Sequence, residues 1–246
     1  MTIQVHGHRG ARARWPENTL PAFRYAIAAG VDAVELDVAV TADDVVVVSH
    51  DPVVAQIPIR SLGLDELRAF DVGARRNPAF PDQTPVPGTP IPTLDEVFAL
   101  GAGNGVRFNV EVKIFADRPE LTPGPEEFTA LILECARRQA VESRMMLQCF
   151  DPRPLWAVRA MAPEMPRGAL FETERDWLEV AKEFDSTMVC PQFRLVTKSR
   201  VDEAHAAGLG VAVWTANTRE VWAELTAAGV DVVISDDPAA LICWLK

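Results

Sequence analysis

The stretch Ala33-Val34-Glu35-Leu36-Asp37-Val38-Ala39-Val40 sets two carboxylates two residues apart inside an otherwise apolar run. Its length and β-branched content read as a buried strand. In a strand, residues i and i+2 share a face, so Glu35 and Asp37 point the same way. Two carboxylates on one face of a buried strand are costly unless something positive neutralises them.

Outward from this strand the rhythm of short strands and amphipathic helices repeats. Upstream, Ile3 to His8 reads as a strand, and Asn18-Thr19 caps a helix through Leu20, Phe23, Ile27 and Ala28 that stops at Gly30. Downstream, Asp43-Asp44 turns the chain into the strand-like run Val45-Val46-Val47-Val48-Ser49-His50. Residues 51–106 break the pattern: they are rich in proline, hold short helical signals at Leu64–Phe70 and Leu94–Leu100, and end in Gly101-Ala102-Gly103-Asn104-Gly105. They read as an insertion laid over one end of the fold, and long connections of that kind are often functional.

From Arg107 the alternation resumes and runs to the C-terminus. Strands are expected at Arg107–Ile114, Met145–Phe150, Gly168–Phe171, Thr187–Pro191, Gly210–Thr215 and Asp231–Ser235, each followed by a helical stretch. About eight β/α units result, the repeat number of a TIM barrel. The prediction is an α/β fold, a (β/α)8 TIM barrel with an insertion after the second β segment, in one domain over residues 1–246. A doubly wound open sheet is the alternative, but no GxGxxG or P-loop follows the first strand.

The chain has 246 residues, is 48% apolar and carries a formal net charge of −11. That charge argues against a nucleic-acid partner, whose phosphates demand a basic face. A local cluster of cations and metal can still receive an anionic small molecule. No apolar stretch reaches membrane-spanning length, and Met1-Thr2-Ile3-Gln4-Val5-His6 has no basic or long apolar leader. The expectation is a soluble, cytoplasmic protein without stable membrane association; nothing in the sequence speaks to oligomeric state. Cys135, Cys149, Cys190 and Cys243 lack metal spacing and sit in apolar contexts, which predicts buried, reduced thiols.

Three segments offer company for Glu35 and Asp37: His8-Arg9-Gly10, His50-Asp51 and Glu111-Val112-Lys113. Each lies at or near the end of a strand-like segment, where a barrel carries its active site. Three acids, two histidines and two cations suit a divalent metal and a phosphoester better than a folding core. The bland reading is a set of strand carboxylates bridged to Arg9 and Lys113 with no metal. Glu17 and Asn18 read equally well as the loop and cap before the first helix. Asp51 is expected to orient a neighbour. His6 is given no role, and His205 is expected to be solvated.

The segments His8-Arg9-Gly10, Glu17-Asn18-Thr19, Val34-Glu35-Leu36-Asp37-Val38, Ser49-His50-Asp51-Pro52 and Glu111-Val112-Lys113 occur in one order, and in that order they resemble the glycerophosphodiester phosphodiesterase family. Ile91-Pro92-Thr93-Leu94-Asp95-Glu96, Leu147-Gln148-Cys149-Phe150-Asp151, Val213-Trp214-Thr215-Ala216-Asn217 and Asp236-Asp237-Pro238 extend the likeness over nearly the whole chain. The resemblance implies a TIM barrel and metal-dependent hydrolysis of glycerophosphodiesters to glycerol 3-phosphate and an alcohol. By position it implies Glu35, Asp37 and Glu111 as metal ligands, His8 and His50 as the catalytic acid/base pair, and Arg9 and Lys113 as phosphate clamps. Trp214 and Gln148 are implied substrate contacts. Val53-Val54-Ala55-Gln56-Ile57-Pro58 departs from the Arg-Thr-Thr-like stretch that many members carry there.

Oxygen-only ligation points to Mg2+ or Ca2+ rather than zinc. Two imidazoles can divide the proton work. In a cyclising route one histidine activates the glycerol 2-hydroxyl, a cyclic phosphate forms, and water opens it; direct attack by metal-bound water is equally compatible. Two other functions stand beside this one. A lysophospholipase D-type phosphodiesterase would need an apolar groove near the insertion, and a non-catalytic phosphometabolite-binding barrel would need no histidine pair.

Overall fold

The computed structural model describes residues 3–246. In chain order the elements are β1 (Gln4–Gly7), α1 (Leu20–Ala29), β2 (Ala33–Val40), β3 (Val46–Val48), β4 (Val53–Val54), β5 (Ile57–Pro58), α2 (Leu64–Leu67), α3 (Leu94–Ala99), β6 (Arg107–Val112), α4 (Pro125–Arg138), β7 (Met145–Cys149), α5 (Pro152–Met161), β8 (Arg167–Phe171), α6 (Trp177–Phe184), β9 (Met188–Pro191), α7 (Lys198–Ala206), β10 (Gly210–Val213), α8 (Arg219–Ala228), β11 (Val232–Ser235) and α9 (Pro238–Leu245). Eight strands, β1, β2 and β6 to β11, run parallel in that order, and β1 pairs with both β2 and β11. The sheet therefore closes on itself as the expected (β/α)8 barrel.

Strand alternation explains the layers. Val34, Leu36 and Val38 of β2, with Phe108, Val110 and Val112 of β6, enter the main core beneath the surrounding helices. Phe23 of α1 and Phe128 of α4 reach the same core and are fully buried; truncating either to alanine costs about 3–5 kcal/mol. The opposite faces of the strands line the barrel interior, and they differ by sector. His6, Glu35, Asp37, Asn109, Glu111 and Gln148 make it polar along β1, β2, β6 and β7. Leu170, Cys190, Ala212, Val232 and Ile234 make it apolar along β8 to β11.

The first helix begins and ends where the sequence predicts. Thr19 caps α1 through Oγ1, which accepts from Ala22 N, and Gly30 ends it at φ 90°. The run after Asp43-Asp44 is a strand, but it turns back antiparallel on the end of β2, with Val38 opposite Val48, and stays outside the barrel. Residues 51–106 divide in two. The β4–β5 ribbon and α2 lie with Val47, Ile59, Leu67 and Ile91 in a small separate core. Gln83, from the following loop, donates to the Arg12 and Trp15 carbonyls beyond β1 at 2.7 and 3.1 Å. By contrast α3 packs between α1 and α4 as a ring helix. A capping box starts it: Thr93 Oγ1 accepts from Glu96 N, and the Glu96 carboxylate accepts from Thr93 N. Among the described residues no helix is long and apolar enough to cross a membrane.

Candidate active site

The turn after β1 delivers the first side chains. Gly10 has φ +86°, and a Cβ there would lie 2.8 Å from the Ala22 backbone. Arg9 (φ 49°) and Asn18 (φ 57°) are left-handed without being glycine, a conformation that costs about 1–3 kcal/mol each and clusters at functional sites. What holds them is the strand beside them. Arg9 N donates to Glu35 Oε2 at 2.9 Å, and Asn18 Nδ2 donates to Asp37 Oδ2 at 2.9 Å. The Arg9 side chain sets Nε 3.1 Å from Asp37 Oδ2 and a terminal nitrogen 2.7 Å from Glu17 Oε1.

Register sets the rest. Asp37 of β2 lies opposite Glu111 of β6, and Glu111 lies opposite Gln148 of β7. Parallel neighbours in register share a face, so Glu35, Asp37 and Glu111 converge: one oxygen of each lies within 4.8 Å of the others, and all three residues are buried. Lys113, two beyond Glu111, sets Nζ 3.1 Å from Asp37 Oδ1 and also donates to Glu111 Oε1. Gln148 Nε2 donates to Glu35 Oε1 at 3.1 Å, and its own Oε1 accepts from Asn109 at 3.2 Å. Asp37 Oδ1 is buried without a hydrogen-bond partner of good geometry.

The electrostatics follow from this crowding. Burial, then the charges of Asp37 and Glu111, push the Glu35 carboxyl well above its ordinary range. Burial and Asp37 push Glu111 up to about 7. Burial works against Asp37 as well, but Lys113 and Arg9 hold it below the usual carboxylate range. When all three carboxylates are ionised they face two cations, Arg9 and Lys113, and one negative charge is in excess. Protons on Glu35 and Glu111 or a hard divalent cation can remove that excess, and a cluster of buried oxygens suits the cation. The residues present fit Mg2+ or Ca2+.

The two histidines both border this cluster. His8 Nε2 is 3.9 Å from Glu35 Oε2, and its Nδ1 is 2.5 Å from Asp236 Oδ1. Asn217 Nδ2 holds the other Asp236 oxygen at 2.6 Å. His50 Nδ1 is 2.8 Å from Asp51 Oδ1, the orienting contact expected of Asp51. Burial, then Lys113 and Arg9, hold the His50 imidazole below its ordinary value against the opposing pull of Asp37. Both histidines face one cavity of about 410 Å³, which His8, Arg9, Glu35, His50, Glu111 and Lys113 line. Gln148 and Trp214 line it too, so of the residues given a metal, catalytic or substrate role by the resemblance, only the fully buried Asp37 does not border this space.

Some partners were not legible as such. Asp236 and Asn217 lie in segments that carry the family resemblance, but no local pattern ties them to His8; only barrel closure does. Asn18 is more than a cap, because Thr19 caps α1 while Asn18 turns inward to Asp37. One smaller expectation needs correction: Cys243 is exposed, because it falls on the outer face of the last helix. His205 is exposed as expected, with Nε2 2.9 Å from Asp231 Oδ2.

Comparison with known proteins agrees with this geometry. The glycerophosphoryl diester phosphodiesterase family model matches residues 8–240. A glycerophosphodiester phosphodiesterase of Caldanaerobacter subterraneus is 30% identical, with 98% of this chain and 97% of that protein covered. A crystal structure described as a putative glycerophosphoryl diester phosphodiesterase from Silicibacter pomeroyi superposes with a TM-score of 0.92 at 31% identity, over 99% of this chain and 93% of that one. An Oleispira antarctica phosphodiesterase, solved in complex with the product sn-glycerol-3-phosphate, superposes with a TM-score of 0.86 at 25% identity, over 99% and 97% of the two chains. With a family match across nearly its full length and the matching barrel, this chain belongs to the glycerophosphoryl diester phosphodiesterase family.

Proposed function

We propose that the chain is a metal-dependent glycerophosphodiester phosphodiesterase, which hydrolyses its substrate to glycerol 3-phosphate and an alcohol. The observation that carries this reading is the convergence of Glu35, Asp37 and Glu111 within 4.8 Å, beside a cavity that His8, Arg9, His50 and Lys113 share. The product bound by the Oleispira antarctica relative supports the substrate class. A phosphodiester is anionic, and its transition state gathers further charge on the non-bridging oxygens. Arg9 offers that charge a planar fork and Lys113 a point cation. Glu35, Asp37 and Glu111 are the ligands for Mg2+ or Ca2+, which when bound supplies Lewis-acid stabilisation of the phosphoryl oxygens. Gln148 steadies Glu35, and Trp214 walls the substrate space.

His8 and His50 divide the proton transfers. His50, held below its ordinary imidazole value mainly by burial, is neutral near pH 7 and takes the proton of the glycerol 2-hydroxyl. That oxygen attacks phosphorus, the bond to the alcohol oxygen breaks, and His8 protonates the departing alkoxide. Water then opens the cyclic phosphate with the roles reversed. Direct attack by water calls on the same two groups, and trapping of a cyclic glycerophosphate separates the routes.

The test is release of glycerol 3-phosphate from glycerophosphocholine with Mg2+, with Ca2+ and with a chelator. His8→Ala and His50→Ala are each expected to lower turnover by about 10²-fold or more while fold and metal binding persist. No hydrolysis with any divalent ion sinks the reading in favour of a binding barrel. One observation favours a lysophospholipase D-type activity: a second cavity of about 470 Å³ adjoins the site and is lined by Ile114, Phe115 and Phe150. Turnover confined to lysophosphatidylcholine makes that the function instead. We read residues 1–246 as one domain, with the part of 51–106 that precedes α3 shaping the mouth of the barrel. The four unbridged cysteines support a cytoplasmic setting.

A further inference from the structure

The cavity at the barrel mouth is chemically divided. Arg9, Arg12 and Lys113 enter from the loops after β1 and β6, around the carboxylate cluster. The opposite side comes from the ends of β7, β8 and β10, with Phe150, Leu170, Glu172 and Trp214. Phe150 and Trp214 meet edge to face, ring centroids 5.4 Å apart at 88°. Phe150 is 44% exposed, an unusual position for a large apolar ring. Glu172 is exposed, and its carboxylate makes no ion pair or hydrogen bond among the described residues, although the nearby Glu174 pairs with Arg200.

From this division we infer that Phe150, Trp214 and Glu172 form a subsite for a cationic alcohol, an ammonium of the choline or ethanolamine type, and that Glu172 determines specificity. The inference rests on the phosphodiesterase reading and names the class of alcohol that leaves. Aromatic faces around a carboxylate are the chemistry that receives a quaternary ammonium, by cation–π attraction and Coulomb attraction together. A polyol needs a different wall, with several donors and acceptors. Trp214 cannot help there, since its Nε1 already donates to the Cys190 carbonyl at 2.7 Å. Phe150 and Leu170 have no polar side-chain atoms, and the Gln148 amide is already taken up by Glu35 and Asn109, which leaves Glu172 and Thr215 on that side. Phe150 already borders one cation, with Lys113 Nζ 6.0 Å from the ring centroid. Lys113 does not repel a second strongly, because Asp37 and Glu111 both pair with it.

The experiment compares kcat/KM of the full chain, with Mg2+, for glycerophosphocholine and for the uncharged-headgroup diester glycerophosphoglycerol. The expected ratio is about tenfold in favour of choline, carried mainly by KM. Glu172→Gln should bring the ratio close to one, and Phe150→Leu should lower it severalfold. A wild-type ratio near one, or a ratio that Glu172→Gln leaves unmoved, overturns the inference while the phosphodiesterase reading stands. A preference for glycerophosphoglycerol that Glu172→Gln removes also overturns it, in favour of hydroxyl recognition. Calorimetric titration with phosphocholine needs no turnover and decides the matter even if no diester is cleaved. Affinity at least fivefold weaker in Glu172→Gln upholds the subsite, and unchanged affinity rejects it.

Discussion

His8 Nδ1 lies 2.5 Å from Asp236 Oδ1, a contact that spans 228 residues of chain. The carboxylate accepts from Nδ1, so that Nε2 faces the cavity on the side of Glu35, where the proposed general acid must carry its proton. Asn217 in turn fixes the carboxylate, through its amide at 2.6 Å and through Asp236 N, which donates to Asn217 Oδ1 at 2.9 Å. Asp236→Asn keeps the shape and loses the charge. It should lower kcat about 10²-fold with KM little changed. A kcat that the substitution leaves unaltered would assign Asp236 to structure alone.

Metal affinity should depend on pH in a defined direction. Glu111 titrates near 7, driven by burial and Asp37, and a carboxylate binds a divalent ion only when deprotonated. Protons therefore displace the ion as pH falls through 7, and affinity should drop about tenfold between pH 8 and pH 6. Glu111→Gln should weaken binding at both values and flatten the dependence. Calorimetry with Mg2+ and Ca2+ measures it, and a crystal with bound ion should show oxygen distances of about 2.1 or 2.4 Å respectively.

Acid should destabilise the fold through His6, a residue outside the proposed chemistry. Burial, with Arg107 nearby, depresses its imidazole to about 3. The unfolded chain takes that proton at its ordinary value near 6.5 and the folded chain refuses it. The stabilisation is thus complete above about pH 6.5 and is lost progressively as pH falls towards 3. His6→Gln should reduce the drop in Tm between pH 7 and pH 4, by an amount corresponding to about 2–3 kcal/mol.

Asn18 offers a test of backbone strain against hydrogen bonding. Asn18→Gly tolerates the left-handed backbone and removes only the two bonds to Asp37, the donation to Oδ2 and the weaker acceptance from N. Asn18→Ala removes both bonds and adds strain. The glycine variant should lose about 1–3 kcal/mol, the cost of an unsatisfied buried acceptor, and the alanine variant about 1 kcal/mol more. Urea unfolding of the two measures the difference.

Much of this was legible in the sequence because barrels turn periodicity into position. The i, i+2 spacing of Glu35 and Asp37, and of Glu111 and Lys113, fixed their common face, and the alternation of elements fixed the barrel. The valine run at 45–48 looked like one more strand in sequence, and only pairing reveals that it folds back on β2. Thr93 and Glu96 announced the start of α3 locally, yet proline and glycine content drew the surrounding segment into a single insertion. Asp236 and Asn217 stayed hidden as partners of His8, since their meeting depends on β11 closing against β1 and no spacing encodes ring closure.

That last pairing has a consequence for the order of folding. β1 meets β11 only when the ring shuts, and His8 gains Asp236 across 228 residues at the same moment. Contacts this distant in sequence form late because loop closure is costly, so anchoring of the imidazole and completion of the barrel are a single event.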